Sequence, residues 1–188
     1  MRYTFNKLFQ LSNFRRKNNG FSLLEIIVSI AIIVTMAAVF AGGWLENRDK
    51  KALILAAEQV TNDIRNARSY TFNAAGFDGG GPPDGGFGIH FDKDSNSYII
   101  FADKDLPLDK VYTGVSEKYQ ETILLESIEI SKLEINGGLV DSADIVFTSP
   151  YGTTYINNDK TAGRELEITV TGSVGSEIIT VDVSGRID

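Results

Sequence analysis

The sequence predicts an α+β protein in which a long N-terminal α-helix packs on an antiparallel β-sheet. Its first part contains an almost wholly apolar stretch, and the more polar stretch that follows keeps a helical repeat of apolar residues. Its second part has short runs of alternating apolar and polar residues between glycine- and proline-rich breaks, which is typical of half-buried strands. We therefore expect four parts: a basic leader at 1–20, a transmembrane helix at 21–45, its amphipathic continuation at 46–75 and a β-rich globular domain at 76–188.

The transmembrane segment is predicted from the twenty residues between Ile26 and Leu45, which carry no charged side chain. As a helix with a rise of about 1.5 Å per residue they would span roughly 30 Å, the thickness of a hydrocarbon core. Ser29 and Thr35 can bond to a carbonyl of the preceding turn, so neither opposes insertion. The charged residues of the leader 1–20 are all positive: Arg2, Lys7, Arg15, Arg16 and Lys17. This basic start predicts a cytoplasmic N-terminus and a C-terminal domain outside.

The helix is expected to continue beyond the membrane as an amphipathic segment that packs on the body of the same chain. Its apolar positions recur at steps of four and three, at Leu53, Ala57, Val60, Ile64, Ala67 and Thr71. Two glycines, Gly42 and Gly43, are expected to interrupt the helix between its two halves, since each costs about 1 kcal/mol relative to alanine. Asn73 to Gly76 should mark its end.

The strands are predicted from alternation after the glycine-rich connector 76–86. "FGIHF" (87–91) and "SYIIFA" (97–102) flank the turn "DKDSN" and predict a hairpin. Further strands are expected at "KVYTGV", "ETILLESIEI", "DIVFTS", "TTYI", "ELEITVT" and "EIITVDV". The sequence therefore favours a helix followed by a single multi-stranded sheet.

Composition excludes several kinds of site. The absence of cysteine excludes disulfides, thiolate metal sites and cysteine catalysis. The formal charge is −7, and removal of the five positive charges of residues 1–20 leaves −12. We expect no nucleic-acid partner for so acidic a body, because phosphate contacts need basic clusters.

Glu25 distinguishes two interpretations of the N-terminal segment. A secretory signal peptide would have the same basic start and apolar centre, and Ala41-Gly42-Gly43 offers small residues for its cleavage. A simple uncleaved anchor would have the same length. Neither has a use for a carboxylate at the start of the apolar run, so Glu25 points to a third kind of segment.

That third kind is indicated by the residues around the carboxylate, which read Gly20-Phe21-Ser22-Leu23-Leu24-Glu25. They resemble the processing site of type IV pilins and of the pseudopilins of type II secretion. The resemblance implies a prepilin leader at 1–20, cleavage after Gly20 by a membrane prepilin peptidase, N-methylation of Phe21 by the same enzyme, and an assembly role for Glu25. It implies as partners other pilin or pseudopilin subunits, the membrane assembly platform and membrane lipid.

A second resemblance concerns the later part of the chain. "GFGIHFDKDSNSYIIFADKD", "DIVFTSPYGT" and the C-terminal "VDVSGRI" are similar to the minor pseudopilin domain called GspH/FimT. Together the two resemblances imply a minor filament subunit in the cytoplasmic (inner) membrane, with one membrane pass and its C-terminal domain outside, which reaches a filament or the cell surface after assembly. The alternative is an exported binding module or enzyme on a simple N-terminal anchor.

The "DKDSN" turn is the weak candidate for a metal site. Asp92, Asp94 and Asn96 have the spacing that opens a calcium loop. Ser97 replaces the glycine expected at the sixth position and Asp103 the glutamate expected at the twelfth, so a solvated turn is favoured. We expect no metal and no other cofactor.

Basic and nucleophilic residues suggest no catalysis. His90 is the only histidine, lies on the face opposite to Phe87, Ile89 and Phe91, and is expected to be an exposed strand residue without a nucleophile beside it. Arg65 and Arg68 are interpreted as a solvated helix face. Some FimT-type proteins bind DNA through basic C-terminal residues, but here Arg186 lies between acidic neighbours. We therefore expect neither an enzyme nor a DNA-binding protein.

Overall fold

A computed structural model describes residues 20–104 and 108–188, except for the side chains of 41–46. The predicted leader, apart from Gly20, thus lies outside the described residues. The described chain folds into one α-helix followed by nine antiparallel strands, which confirms the α+β class. Contacts divide the chain into two compact units with the boundary between Gly42 and Gly43, and the second unit is Gly43–Asp188.

Helix α1 runs from Leu23 to Phe72. Its bounds include Gly42 and Gly43, so the expected interruption of the helix at these glycines is wrong. Two glycines cost about 2 kcal/mol in helix propensity, and that is a small term against the many backbone hydrogen bonds of a fifty-residue helix. The boundary between the two compact units nevertheless falls between them.

In the second unit, α1 buries one face against the sheets. The buried positions are Leu53, Ala56, Val60, Ile64, Ala67 and Thr71. Ala57, expected on this face, is only partly buried, and Ala56 takes the deeper position. The apolar stripe predicted from the repeat therefore does form the helix side of the core.

The strands form two sheets where the sequence suggested one. Sheet A has the order β3-β2-β1-β6-β7, and sheet B the order β5-β4-β8-β9. The strands of sheet A are β1 (Phe87–Asp92), β2 (Ser97–Ala102), β3 (Lys118–Ile123), β6 (Ser142–Thr148) and β7 (Thr153–Ile156). Those of sheet B are β4 (Glu129–Ile135), β5 (Gly138–Val140), β8 (Glu165–Gly172) and β9 (Gly175–Asp182).

Two strand predictions are wrong. "ETILLESIEI" is not one strand, because residues 124–128 leave sheet A and enter sheet B, with Leu124 and Ile128 buried in the connection. "KVYTGV" is not a strand either, since residues 110–115 form an irregular connection between β2 and β3. In the first case the buried side chains of Thr122, Leu124, Ile128 and Ile130 maintain a strand-like pattern across the connection. In the second case the pattern does not reflect burial, since Val115 is 84% exposed. The short strand β5 was not predicted.

The predicted β1–β2 hairpin is confirmed, with Phe91 paired to Tyr98 next to the turn. The turn also connects the two sheets. Asp94 N–H donates to the Ile130 carbonyl at 2.8 Å, and Ile130 N–H donates to the Ser95 carbonyl at 2.8 Å. Backbone pairing thus accounts for the position of this turn, which the acidic spacing alone had linked to calcium.

Polar side chains attach the helix to both sheets. Tyr98 Oη donates to Asp63 Oδ2 at 2.7 Å, across the core from sheet A. Arg68 Nη1 donates to the Gly185 carbonyl at 3.0 Å. The interpretation of Arg68 as part of a solvated face is therefore wrong, because its guanidinium anchors the turn that follows β9.

Gly185 is expected to be required in this turn. Its φ is +81°, and an added Cβ would lie 3.2 Å from Arg68 Nη1 and 3.3 Å from Thr154 Oγ1. Gly185→Ala should lower the free energy of unfolding by about 1–2 kcal/mol, because L-residues are strained at positive φ. Chemical denaturation of the detergent-solubilised chain, followed by tyrosine circular dichroism, measures this change.

Gly81→Ala is the matched control, because an added Cβ there meets no atom within 4 Å and φ is not positive. Equal denaturation midpoints for the two variants would show that the Gly185 turn carries no such constraint.

Candidate functional site

The predicted cleavage position lies in an irregular segment just before the helix. Gly20, Phe21 and Ser22 precede the first helical residue, Leu23. The Phe21 side chain is 76% exposed, and a Cβ placed on Gly20 would meet no atom within 4 Å. The peptide bond between Gly20 and Phe21 is therefore accessible, and the chain itself would tolerate a side chain at residue 20.

Ser22 caps the helix and holds Glu25 in its first turn. The backbone N–H of Glu25 lies 3.2 Å from Ser22 Oγ and 3.0 Å from the Ser22 carbonyl. Ser-x-x-Glu is the spacing of a capping box, in which the serine satisfies an N–H that the helix leaves unpaired. The capping role of Ser22 was not predicted from the sequence, although this spacing could have identified it. The positive end of the helix dipole also favours a carboxylate at this position.

The segment that follows has the length and composition of a membrane span. Leu23–Phe40 has a mean hydropathy of 2.7, and none of its residues is buried. Ser29 Oγ donates to the Glu25 carbonyl at 2.7 Å, and Thr35 Oγ1 to the Ile32 carbonyl at 2.9 Å, which confirms the predicted satisfaction of both hydroxyls. An N-terminal signal sequence has the same length and composition. The segment therefore supports membrane anchoring of either a cleaved or a retained form.

The three weak calcium candidates, Asp92, Asp94 and Asn96, each make a different contact. Asp92 is largely exposed with Oδ1 3.3 Å from His90 Nε2, and Asp94 forms an ion pair with Lys93 at 3.3 Å. The Asn96 carbonyl accepts the N–H of Leu124 at 2.7 Å. Within 20–104 and 108–188, no group of three or more His, Asp or Glu side chains is arranged to hold a metal ion.

His90 is not the exposed strand residue that the sequence predicted. Its side chain is only 14% exposed, and its Nδ1 lies 2.8 Å from Asp144 Oδ1 on the neighbouring strand β6. The Tyr112 ring covers it, with 5.0 Å between ring centroids. The prediction failed because residues 110–115, taken for a strand, do not join a sheet, and Tyr112 among them lies over this face of sheet A.

The two carboxylates determine the ionisation of this histidine. Burial lowers the pKa of His90, but the hydrogen bond and charge of Asp144, helped by Asp92, outweigh burial and raise that pKa above its ordinary 6.5. At the other end of the chain, Arg186 Nε lies 2.9 Å from Asp188 Oδ2 and 3.6 Å from Asp182 Oδ2. The guanidinium of Arg186 is thus paired with acidic neighbours, as the sequence suggested.

Comparison with known proteins identifies the N-terminal motif. The family model described as the prokaryotic N-terminal methylation motif matches residues 15–41. The chain therefore carries the N-terminal signal of type IV pilin-like proteins that are processed as prepilins. Searches of curated proteins and of solved structures found no match. The likeness of the later strands to the GspH/FimT domain stays a prediction.

Proposed function

We propose that this protein is a structural subunit, a minor pilin or pseudopilin, of a type IV pilus-like or type II secretion filament. The observation that carries the proposal is Glu25, which Ser22 places in the first turn of α1, within the apolar span Leu23–Phe40, where it is the one charged residue, and within the matched motif. A membrane span alone has no need of a carboxylate at this position, and burying one costs a few kcal/mol. A role of Glu25 in contacts between subunits would explain a carboxylate at this position.

Processing would begin at the exposed segment before the helix. Prepilin peptidase would cut between Gly20 and Phe21 and methylate the new amine. That amine would lie next to the Ser22 cap, so its positive charge would sit beside the positive end of the helix dipole. A carboxylate from a neighbouring subunit would relieve this unfavourable arrangement, and Glu25 is the carboxylate that stacked helices would bring there.

The remainder of the chain would form the exposed body of the subunit. We place the helix in the cytoplasmic (inner) membrane, with the second unit outside and in contact with other subunits. The membrane assembly platform and lipid are further partners. We assign no catalysis to the body. The acidic charge of the body argues against nucleic-acid binding.

A second candidate function is an exported binding module or enzyme released from, or held by, a simple anchor. One observation favours it: the boundary between the compact units falls between Gly42 and Gly43, at the small residues that a signal peptidase would accept. Cleavage there would release the second unit whole.

The mature N-terminus distinguishes the two functions. Expressed with a prepilin peptidase, the purified protein should begin with N-methylphenylalanine at Phe21, which intact-mass and fragment-ion mass spectrometry would identify. A protein that begins at Met1 or near Gly43 would contradict the filament proposal and support the exported module.

A further inference from the structure

Residues 108–117 cover one face of sheet A and are attached through a small polar cluster. The Tyr112 ring lies over His90 and over Phe101, with centroid distances of 5.0 Å and 5.5 Å. The Tyr112 N–H donates to Asp144 Oδ1 at 3.2 Å, the same oxygen that His90 Nδ1 approaches at 2.8 Å. One carboxylate oxygen therefore joins β1, β6 and the covering segment.

The two ends of this segment have their own attachments. Lys110 Nζ pairs with the fully buried Asp103 at 2.8 Å, and the Ala102 N–H at the end of β2 donates to the Glu117 carbonyl at 2.8 Å. The Tyr112 contacts therefore control the middle of the segment, between two independently anchored ends.

Asp144 has a buried carboxyl group, with 3% of the residue exposed. Three titratable groups face the imidazole: Asp144 on β6, Asp92 on its own strand and the phenol of Tyr112. Of the nearby lysines, Lys110 is paired with Asp103, and Lys118 with Glu121. Among the described residues, protonated His90 is thus the cation in contact with Asp144, and a buried carboxylate is costly without such a partner.

We propose that His90 is a pH-dependent clamp, which in its protonated form holds segment 108–117 on sheet A through Asp144 and in its neutral form lets that segment loosen. On losing its proton, the ring can keep an Nδ1–H donor towards Asp144, but its Nε2 lone pair then faces the Asp92 carboxylate. Asp144 loses its counter-charge at the same time. Solvation of Asp144 requires the covering residues around Tyr112 to move away.

The direction of the pH dependence follows from linkage. The pKa of His90 is raised in the folded protein, so its contribution to stability is complete below the unfolded value of about 6.5. The contribution disappears as the pH rises through the higher folded value. The clamp should therefore be closed in mildly acidic surroundings and looser in alkaline ones, whether or not the protein enters a filament.

The test uses the full chain in detergent micelles. Because the chain has a single histidine, the ring resonances in an NMR titration report His90 alone. Hydrogen exchange of the 108–117 amides, corrected for intrinsic rates, should show protection severalfold greater at about pH 5.5 than at about pH 8.5. Amides of β8 should not share the change.

Two variants separate a clamp from simple packing. His90→Gln should remove the pH dependence of 108–117 protection, and Asp144→Asn should remove it while lowering the midpoint of the His90 titration. Asp141→Asn, the same chemical change at an exposed position three residues away, is the control and should leave both unchanged.

Unchanged protection across this pH range in the wild-type chain, or the same pH response in His90→Gln, would overturn the proposal. The first of these outcomes needs no variant, so the proposal can be overturned even if a variant fails to fold.

Discussion

Glu25→Leu is expected to insert into the membrane and to be cleaved normally, yet to enter filaments at least about tenfold less efficiently. A carboxylate and a neighbour's amine about 4 Å apart attract by roughly 4 kcal/mol at an effective dielectric near 20, before desolvation is subtracted. If about 1.4 kcal/mol of this attraction remains after desolvation, it changes the equilibrium for incorporation into the filament by a factor of about ten. Apolar helices can slide past one another, and such a pair would also define their register.

The measurement is crosslinking of wild-type and variant subunits to filament partners at matched membrane levels. Glu25→Gln keeps the shape of the side chain and should fail as Glu25→Leu does, since the charge is what pairs. Ser22→Ala removes the cap, worth about 1 kcal/mol, but keeps the carboxylate, so its incorporation should stay closer to wild type. Equal incorporation of all variants would restrict Glu25 to a role in recognition by the peptidase.

Gly20→Val is expected to abolish processing and to leave the full-length protein in the membrane. The proposed cleft of the peptidase must accommodate residue 20, and a branched side chain should crowd it. Since a Cβ at residue 20 meets no atom of this chain within 4 Å, the substitution should not disturb the protein itself. A gel-shift or mass assay of cleavage over time, in cells that contain the peptidase, measures the effect.

Gly42→Val is the informative control for this experiment. It changes a glycine at the alternative cleavage position, so it should leave processing after Gly20 at the parental rate. If Gly42→Val blocks cleavage and Gly20→Val is trimmed as fast as the parent, the cleavage site is wrong and the exported module becomes the better function.

The sequence was sufficient for several features that depend on neighbouring residues. The uncharged run after Glu25, the three-and-four repeat from Leu53 to Thr71 and the alternation on both sides of the turn at 92–96 each reflect one periodic backbone. The α+β class and the β1–β2 hairpin follow from these patterns, and the structure confirms both. The N-terminal motif is equally local, and the Ser22 cap could have been predicted from its spacing to Glu25.

Tertiary structure alone decided the features that depend on distant segments. Residues 110–115 alternate as a strand would, but they lie over sheet A instead of joining it, and they bury His90 beside Asp144. The run from Glu121 to Ile130 divides between two sheets, because its buried middle crosses from one to the other. A local pattern shows which side chains seek burial, whereas the surface that buries them is supplied by residues far away in the sequence. For that reason the sequence showed only that the chain has one histidine, His90, and the tertiary structure was needed to show that Asp144 lies beside it.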